Sequence, residues 1–360
     1  MKYKINSDSP AYLQIYMQIR ADITNGVYKY GEKLPSKRLL SAETGTSVIT
    51  AEHAYGILSD EGYIEPKQRS GYYVIYKEKD SFPVSRIHSI RASNRKPLHS
   101  AKEEFSFPIF AKTVRRVLVE YDGELFEKSP NCGCAELQNA ISKYLVRSRG
   151  IDVEPRQIII GAGAEYLYSL IVQLLGRDKI YAIENPSYEK IKNVYEANGV
   201  KIDLLGMAED GIKSDELEKT DAGILHVTPF NSFPSGITAT ASKRREYVNW
   251  VQSREGMIIE DDFDSEFSIS TKTEDTIFSL DPEHTIYLNT FSKTIAQSVR
   301  MGYMVLPKNL LTLFEKRAGF YSCTVSAFEQ YIIAEIIENG DFERHINKVR
   351  RQRRKNSGIY

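Results

Sequence analysis

From residue 105 onward, short apolar runs alternate with amphipathic helical stretches, and no other feature restricts the fold of this chain as strongly. The runs fall at 157–160, 180–183, 223–227, 257–259 and 285–288. Strands separated in this way by helix-period segments predict an α/β domain with a largely parallel sheet. The chain has 360 residues, room for that domain and a second one. Hydrophobic residues make up 41% and charged residues 27%, an ordinary globular balance that allows a sizeable core.

Residues 1–76 read differently. Residues 12–24 carry Leu13, Tyr16, Met17, Ile19 and Ile23 at roughly helical spacing, and Asn25-Gly26 ends the run. Ser36 suits the N-cap of a second helix through Leu39, Leu40 and Ala42. Gly45 supplies a tight turn. Thr46 or Ser47 then caps a third helix with Ala51, Ala54, Tyr55, Ile57 and Leu58 on one face, and Gly62 stops it. Two short helices about a glycine turn make a helix-turn-helix, whose second member enters the DNA major groove. The stretches 63–65 and 72–75, with Lys67 to Gly71 between them, predict a β-hairpin wing. A helix pair of this kind also serves dimerisation or protein contact, so alone it decides little.

Between the two regions, residues 77–104 lack apolar periodicity and hold seven basic residues against four acidic ones. They read as a basic linker able to touch DNA phosphates. Such local charge matters here because Lys+Arg and Asp+Glu both number 48 over the whole chain. The three cysteines are too few and odd in number for a disulfide framework, which points to a reducing compartment. Cys132-Gly133-Cys134 has no second Cys or His cluster at metal spacing and reads as structural, so no metal site is expected. With no apolar run long enough to span a bilayer and no signal-peptide pattern, the expectation is a cytoplasmic protein away from membranes.

Four segments of the α/β region carry chemistry. Residues 287–293 deliver Ser292-Lys293 after an apolar strand, with Arg300 seven residues on, where a desolvated amine can be tuned for Schiff-base formation beside a phosphate site. Residues 257–264 end a strand in Glu260-Asp261-Asp262-Phe263-Asp264. By itself that acidic run reads most simply as a solvated loop; at the end of a sheet strand it is also where α/β folds place ligand groups. Gly161-Ala162-Gly163-Ala164-Glu165 turns from strand to helix and leaves free N–H groups suited to a phosphate. Glu184-Asn185-Pro186-Ser187-Tyr188 sets an aromatic ring at a strand end.

In order, residues 9–76 resemble the GntR family of winged-helix regulators, and residues 105–350 resemble fold-type I aminotransferases. Together they resemble MocR/GabR-type regulators, most closely at 227–236, 260–267 and 290–294. The resemblance implies a multidomain protein: a winged helix-turn-helix (α+β) at 1–76, the linker 77–104, and an α/β domain binding pyridoxal 5′-phosphate at 105–360. It implies DNA contacts from Ser36, Arg38, Ser47, Thr50, Arg69 and Gly71. It makes Lys293 the Schiff-base lysine, Asp261 the partner of the pyridine nitrogen and Tyr188 the stacked ring. Ala164, Glu165, Ser292 and Arg300 become the phosphate cup, and Asn231 joins the cofactor-binding set. The implied function is a DNA-binding transcription regulator that senses pyridoxal phosphate and an amino acid or amine, acting on double-stranded DNA as a homodimer. The alternative is an aminotransferase with an accessory DNA-binding domain.

The chain departs from the family's pattern at several positions. Phe263 stands where a Tyr usually bonds the cofactor's phenolic oxygen, and Asn231-Ser232 replaces His-Gln. Lys190 replaces an arginine two residues after the stacking Tyr. About Lys128 maps a Tyr that reaches the neighbouring subunit's phosphate. Val48 and Ile49 occupy positions that are often polar or basic in the recognition helix. The sequence also ends at Tyr360, where relatives continue into a small domain, so the α/β domain is expected to be incomplete at its C-terminus.

Overall fold

The computed structural model describes residues 3, 5–6, 9–68, 70–77, 105–262, 265–268 and 275–356. Arg69, Phe263 and all of the expected linker except Lys77 lie outside the described residues. The chain divides into two compact units, Met1–Pro97 and Leu98–Tyr360.

The first unit holds α1 (Ala11–Thr24), α2 (Lys37–Thr44), α3 (Val48–Asp60) and a hairpin of β1 (Ile64–Lys67) and β2 (Gly71–Val74). Ser36 caps α2 by accepting from the Leu39 N–H at 3.2 Å. Gly45, at φ 69°, ends that helix in the left-handed region. Of the two candidate caps for α3, Ser47 is used, and it accepts from the Thr50 N–H at 3.0 Å. Each such cap is worth about 1 kcal/mol. Ile15, Ile19 and Ile23 of α1 close on Leu40, Ala51, Ala54, Tyr55 and Leu58 in one core, which also takes Ile64 and Val74 from the hairpin. The Tyr55 hydroxyl donates to the Pro35 carbonyl at 2.7 Å, and its ring meets Tyr72 at 4.6 Å, so helix, turn and wing are tied through one side chain.

The second unit opens with α4 (Phe107–Glu120), α5 (Ala135–Arg149), β3 (Ile158–Gly161), α6 (Ala164–Leu175), β4 (Ile180–Asn185) and α7 (Glu189–Ala197). There follow β5 (Lys201–Ala208), β6 (Gly211–Ile212), α8 (Ser214–Lys219), β7 (Ile224–Val227), α9 (Ala241–Ser253), β8 (Met257–Asp261) and α10 (Ile277–Leu280). β9 (Thr285–Thr290), β10 (Gly302–Val305), α11 (Leu311–Arg317), α12 (Ala327–Glu338) and α13 (Asp341–Asn356) complete it.

The strands form one sheet in the order β3-β10-β9-β8-β7-β4-β5-β6. β9, β8, β7, β4 and β5 are parallel neighbours, while β10 runs antiparallel to both β9 and β3. The five apolar runs read from the sequence are β3, β4, β7, β8 and β9; β5 and β10 extend the sheet beyond them. Period-two alternation splits the side chains between two faces. Ile158, Ile160, Tyr287 and Tyr303 face a core shared with α5, α12 and α13, whereas Ile159, Ile286, Leu288 and Met304 face one shared with α6 and α7. α9 packs Tyr247, Val248 and Val251 over β7 and β8 in a third cluster. This burial on both faces explains why the strands read as continuous apolar runs.

The three cysteines are free, and no cluster of His, Cys, Asp and Glu suited to a metal is found among the described residues. No helix among them is long and apolar enough to cross a membrane.

Candidate functional site

The parallel strands β8 and β9 end side by side, and their last residues, Asp261 and Thr290, open into a cavity of about 340 Å³. Ends of parallel strands are where sheets of this type hold ligands. The cavity is lined by Ala164 and Glu165 at the start of α6, Tyr188 at the start of α7, Asp261, and Ser292, Lys293 and Arg300 beyond β9. Those are seven of the eight cofactor residues expected from the sequence. The eighth, Asn231, lies on an exposed turn at φ 54° and does not line this cavity; its N–H donates to the Thr238 hydroxyl at 3.1 Å. Tyr168, Phe233 and Thr290 line it as well, although the sequence did not mark them.

Asp261 is buried, at 2% exposure. One oxygen, Oδ2, accepts from the Tyr168 hydroxyl and stands 3.7 Å from His226 Nε2 on the neighbouring β7. The other, Oδ1, has no hydrogen-bond partner among the described residues. Burial, and then the nearby Asp261 charge, hold the Tyr168 phenol well above its ordinary range, so it stays a donor. His226 is fixed in turn by a 2.7 Å contact between Nδ1 and the Tyr195 hydroxyl.

A second cluster lies at the start of α6. Arg300 Nη2 donates to Glu165 Oε2 at 2.6 Å, and Lys190 Nζ to Oε1 at 3.1 Å. Burial works against the Glu165 charge, but its own backbone N–H, Lys190 and Arg300 hold the carboxyl below its usual range. Gly163 sits at φ 87°, a backbone conformation that strains any other residue, and a Cβ there would also stand 3.3 Å from the Arg300 guanidinium. Tyr188 and Phe233 meet edge to face at 6.1 Å beside this cluster.

The acidic run at 260–262 is not a solvated loop: Glu260, Asp261 and Asp262 are all buried, at 0%, 2% and 1% exposure. Glu260 accepts from the Ile277 and Phe278 N–H groups at 2.9 and 2.8 Å. Asp262 pairs with Arg149 at 2.8 Å and accepts from the Tyr287 hydroxyl at 2.6 Å. Burial pushes the Glu260 carboxyl up to about 8. Glu184, at the end of β4, is likewise pushed up to about 8 by burial while it accepts from Ser232 Oγ at 2.6 Å and the Thr228 N–H at 3.2 Å.

In the first unit, Ser36, Arg38, Ser47 and Thr50 sit on α2 and at the start of α3, and Gly71 begins β2 at φ 119°. Arg38 and Ser47 are exposed. Val48 and Ile49 project from the first turn of α3 at 41% and 78% exposure.

A winged helix preceding a sheet of aminotransferase type, with a lysine, a buried carboxylate and a cation around one cavity, defines a two-part protein of ligand-binding and helix-turn-helix units. Comparison with known proteins agrees. Residues 96–357 match the family model "Aminotransferase class I and II", and residues 11–74 match "Bacterial regulatory proteins, gntR family". The Bacillus subtilis protein YdeL, described as an uncharacterized HTH-type transcriptional regulator, is 32% identical over 98% of this chain and 78% of its own length. The pyridoxine biosynthesis transcriptional regulator PdxR of Corynebacterium glutamicum is 29% identical over 94% of this chain and 75% of its own. The probable rhizopine catabolism regulatory protein MocR of Rhizobium meliloti is 26% identical over 96% and 75%. Among solved structures, the kynurenine aminotransferase of Pyrococcus horikoshii superposes with a TM-score of 0.63 at 22% identity, over 69% of this chain and 64% of that one. The chain thus spans less than two thirds of that aminotransferase, and the likeness establishes the fold.

The protein belongs to the MocR-type HTH transcriptional regulators, in which a gntR-family module precedes an aminotransferase class I and II domain.

Proposed function

We propose that this regulator binds double-stranded DNA through residues 1–76 and senses pyridoxal 5′-phosphate, together with an amino acid or amine, through residues 105–360. Residues 77–104 serve as the basic linker. The observation that carries the cofactor reading is the buried Asp261 Oδ1, partnerless among the described residues, in a cavity shared with Lys293 and Arg300. A buried acceptor without a donor costs roughly 1–3 kcal/mol, which a ligand bearing an N–H at that point recovers. A protonated pyridine nitrogen is such a ligand, and the residues present fit it.

In this reading Asp261 holds a proton at the ring nitrogen, and Tyr168 and His226 fix the carboxylate's orientation. Tyr188 packs on the ring face. The N–H groups of Ala164 and Glu165 at the start of α6, with Ser292 and Arg300, bind the phosphate. Lys293 holds the cofactor covalently. When bound, the cofactor supplies an aldehyde that condenses with primary amines. An amine bound in this cavity would act on the regulator only through contacts that differ between two arrangements of the protein, which any ligand-driven shift requires.

Ser36, Arg38, Ser47, Thr50, Arg69 and Gly71 are assigned to DNA contacts. The reading includes a homodimer, because paired helix-turn-helix units read two half-sites, and a cytoplasmic location, where such a pair would meet its operator. The reading is tested by measuring operator affinity of the full chain at fixed salt, with and without pyridoxal phosphate. A severalfold change supports the sensor, and an unchanged affinity removes it. The gathering of Lys293, Asp261 and Arg300 in one cavity favours a second reading, a working aminotransferase, which turnover with amino donors would establish.

A further inference from the structure

We propose that the first turn of α3 reads thymine through its 5-methyl group, with Ile49 as the specificity-determining side chain and Val48 beside it. This inference rests on the DNA-binding reading above and narrows it to one feature of the operator.

The sequence of α3, VITAEHAYGILSD, contains no Lys, Arg, Asn or Gln. Those four side chains make the bidentate contacts that single out guanine and adenine in the major groove. α3 therefore has no group for either contact, and guanine or adenine has to be read from elsewhere in the unit.

The polar groups near the start of α3 already have partners within the unit, and the Ser47–Thr50 hydroxyl pair keeps one O–H able to donate to DNA. Ser47 Oγ accepts from the Thr50 N–H, and the two hydroxyls lie 2.8 Å apart. Glu52 accepts from Lys37 Nζ at 2.5 Å. His53 stacks on Tyr12 with ring centroids 4.1 Å apart. Ile49, by contrast, is the most exposed large apolar side chain among the described residues of this unit, at 78%, with Val48 next to it at 41%.

A single exposed aliphatic is unremarkable on an ordinary surface. At the first turn of a recognition helix the position faces base edges, and the apolar complement those edges offer is the thymine methyl. Burying one methyl against Ile49 is worth about fourfold in Kd.

The test uses the full chain and duplexes selected from a randomised pool at fixed salt. In the selected duplex each thymine is replaced singly by deoxyuridine, which keeps every hydrogen bond and removes only the methyl. One or two positions in each half-site should weaken binding about fourfold, and the Ile49→Ala protein should be nearly indifferent to the same replacements. Ile49 is outside the core, so that variant keeps its fold. Uracil duplexes that all bind like the parent overturn the proposal. So does an Ile49→Ala protein that keeps the full uracil penalty. A pool in which no sequence is enriched is a different result: it removes the DNA-binding reading itself and the proposal with it.

Discussion

The Tyr168 hydroxyl on α6 donates to Asp261 Oδ2 at the end of β8, while the other carboxylate oxygen, Oδ1, is a buried acceptor with no partner among the described residues. We assign Oδ1 to the ring nitrogen of the cofactor. Asp261→Asn should then weaken pyridoxal phosphate binding by roughly tenfold to a hundredfold, the range for a charge-assisted hydrogen bond. Tyr168→Phe should cost less, because it loosens the carboxylate without removing it. Equilibrium titration of each purified variant measures both. Equal affinity for parent and Asp261→Asn would mean that the carboxylate faces something else.

Arg149 and Asp262 form a buried pair on the opposite face of β8 from Asp261, with side chains 9% and 0% exposed. Burial works against the Arg149 charge, and Asp262, joined by Tyr287, Glu266 and Tyr144, together more than offsets it. Removing one partner strands the other charge in the interior, at a cost of roughly 3–5 kcal/mol. Arg149→Leu should therefore destabilise the protein strongly. Arg149→Leu combined with Asp262→Leu should recover much of the loss, as buried pairs replaced by apolar side chains often do. Urea unfolding of the two variants decides the point.

Glu184 and Glu260 give the unit a defined response to pH. Both carboxyls are buried and pushed up to about 8, so the folded chain holds protons that the unfolded chain has released. Their contribution to stability is fully present below the unfolded carboxylate value of about 4.3 and is lost as pH rises through about 8. Glu184→Gln, which keeps the bond to Ser232 available and cannot ionise, should flatten that part of the decline. Denaturation midpoints of parent and variant measured across the window would show parallel curves if Glu184 were already ionised in the folded protein.

Much of this architecture was legible in the sequence because burial on both faces writes a strand as an apolar run, as in Ile158-Ile159-Ile160, and because Ser36 and Ser47 stand where helices need an acceptor. Lys293 stood out because it follows such a run, whereas Asp261 read with its neighbours as a solvated loop and was assigned to the cofactor only through the family resemblance. Tyr168 was not: in α6 it reads like any core aromatic, and its partner is 93 positions away. Glu260 and Asp262 read as a solvated run because their partners, the Ile277 N–H and Arg149, are distant in the chain. Asn231 was grouped with the cofactor from its place in a motif, whereas the backbone carries it onto an exposed turn in the left-handed region that asparagine tolerates.

In the proposed function pyridoxal phosphate is held in the cavity through Lys293. The most direct measurement is the intact mass of the full chain after incubation with pyridoxal phosphate and borohydride reduction, beside Lys293→Ala. The parent should gain one phosphopyridoxyl group, mapped to the peptide containing Lys293, and the variant none. An unmodified parent, or a variant modified as fully as the parent, would contradict it.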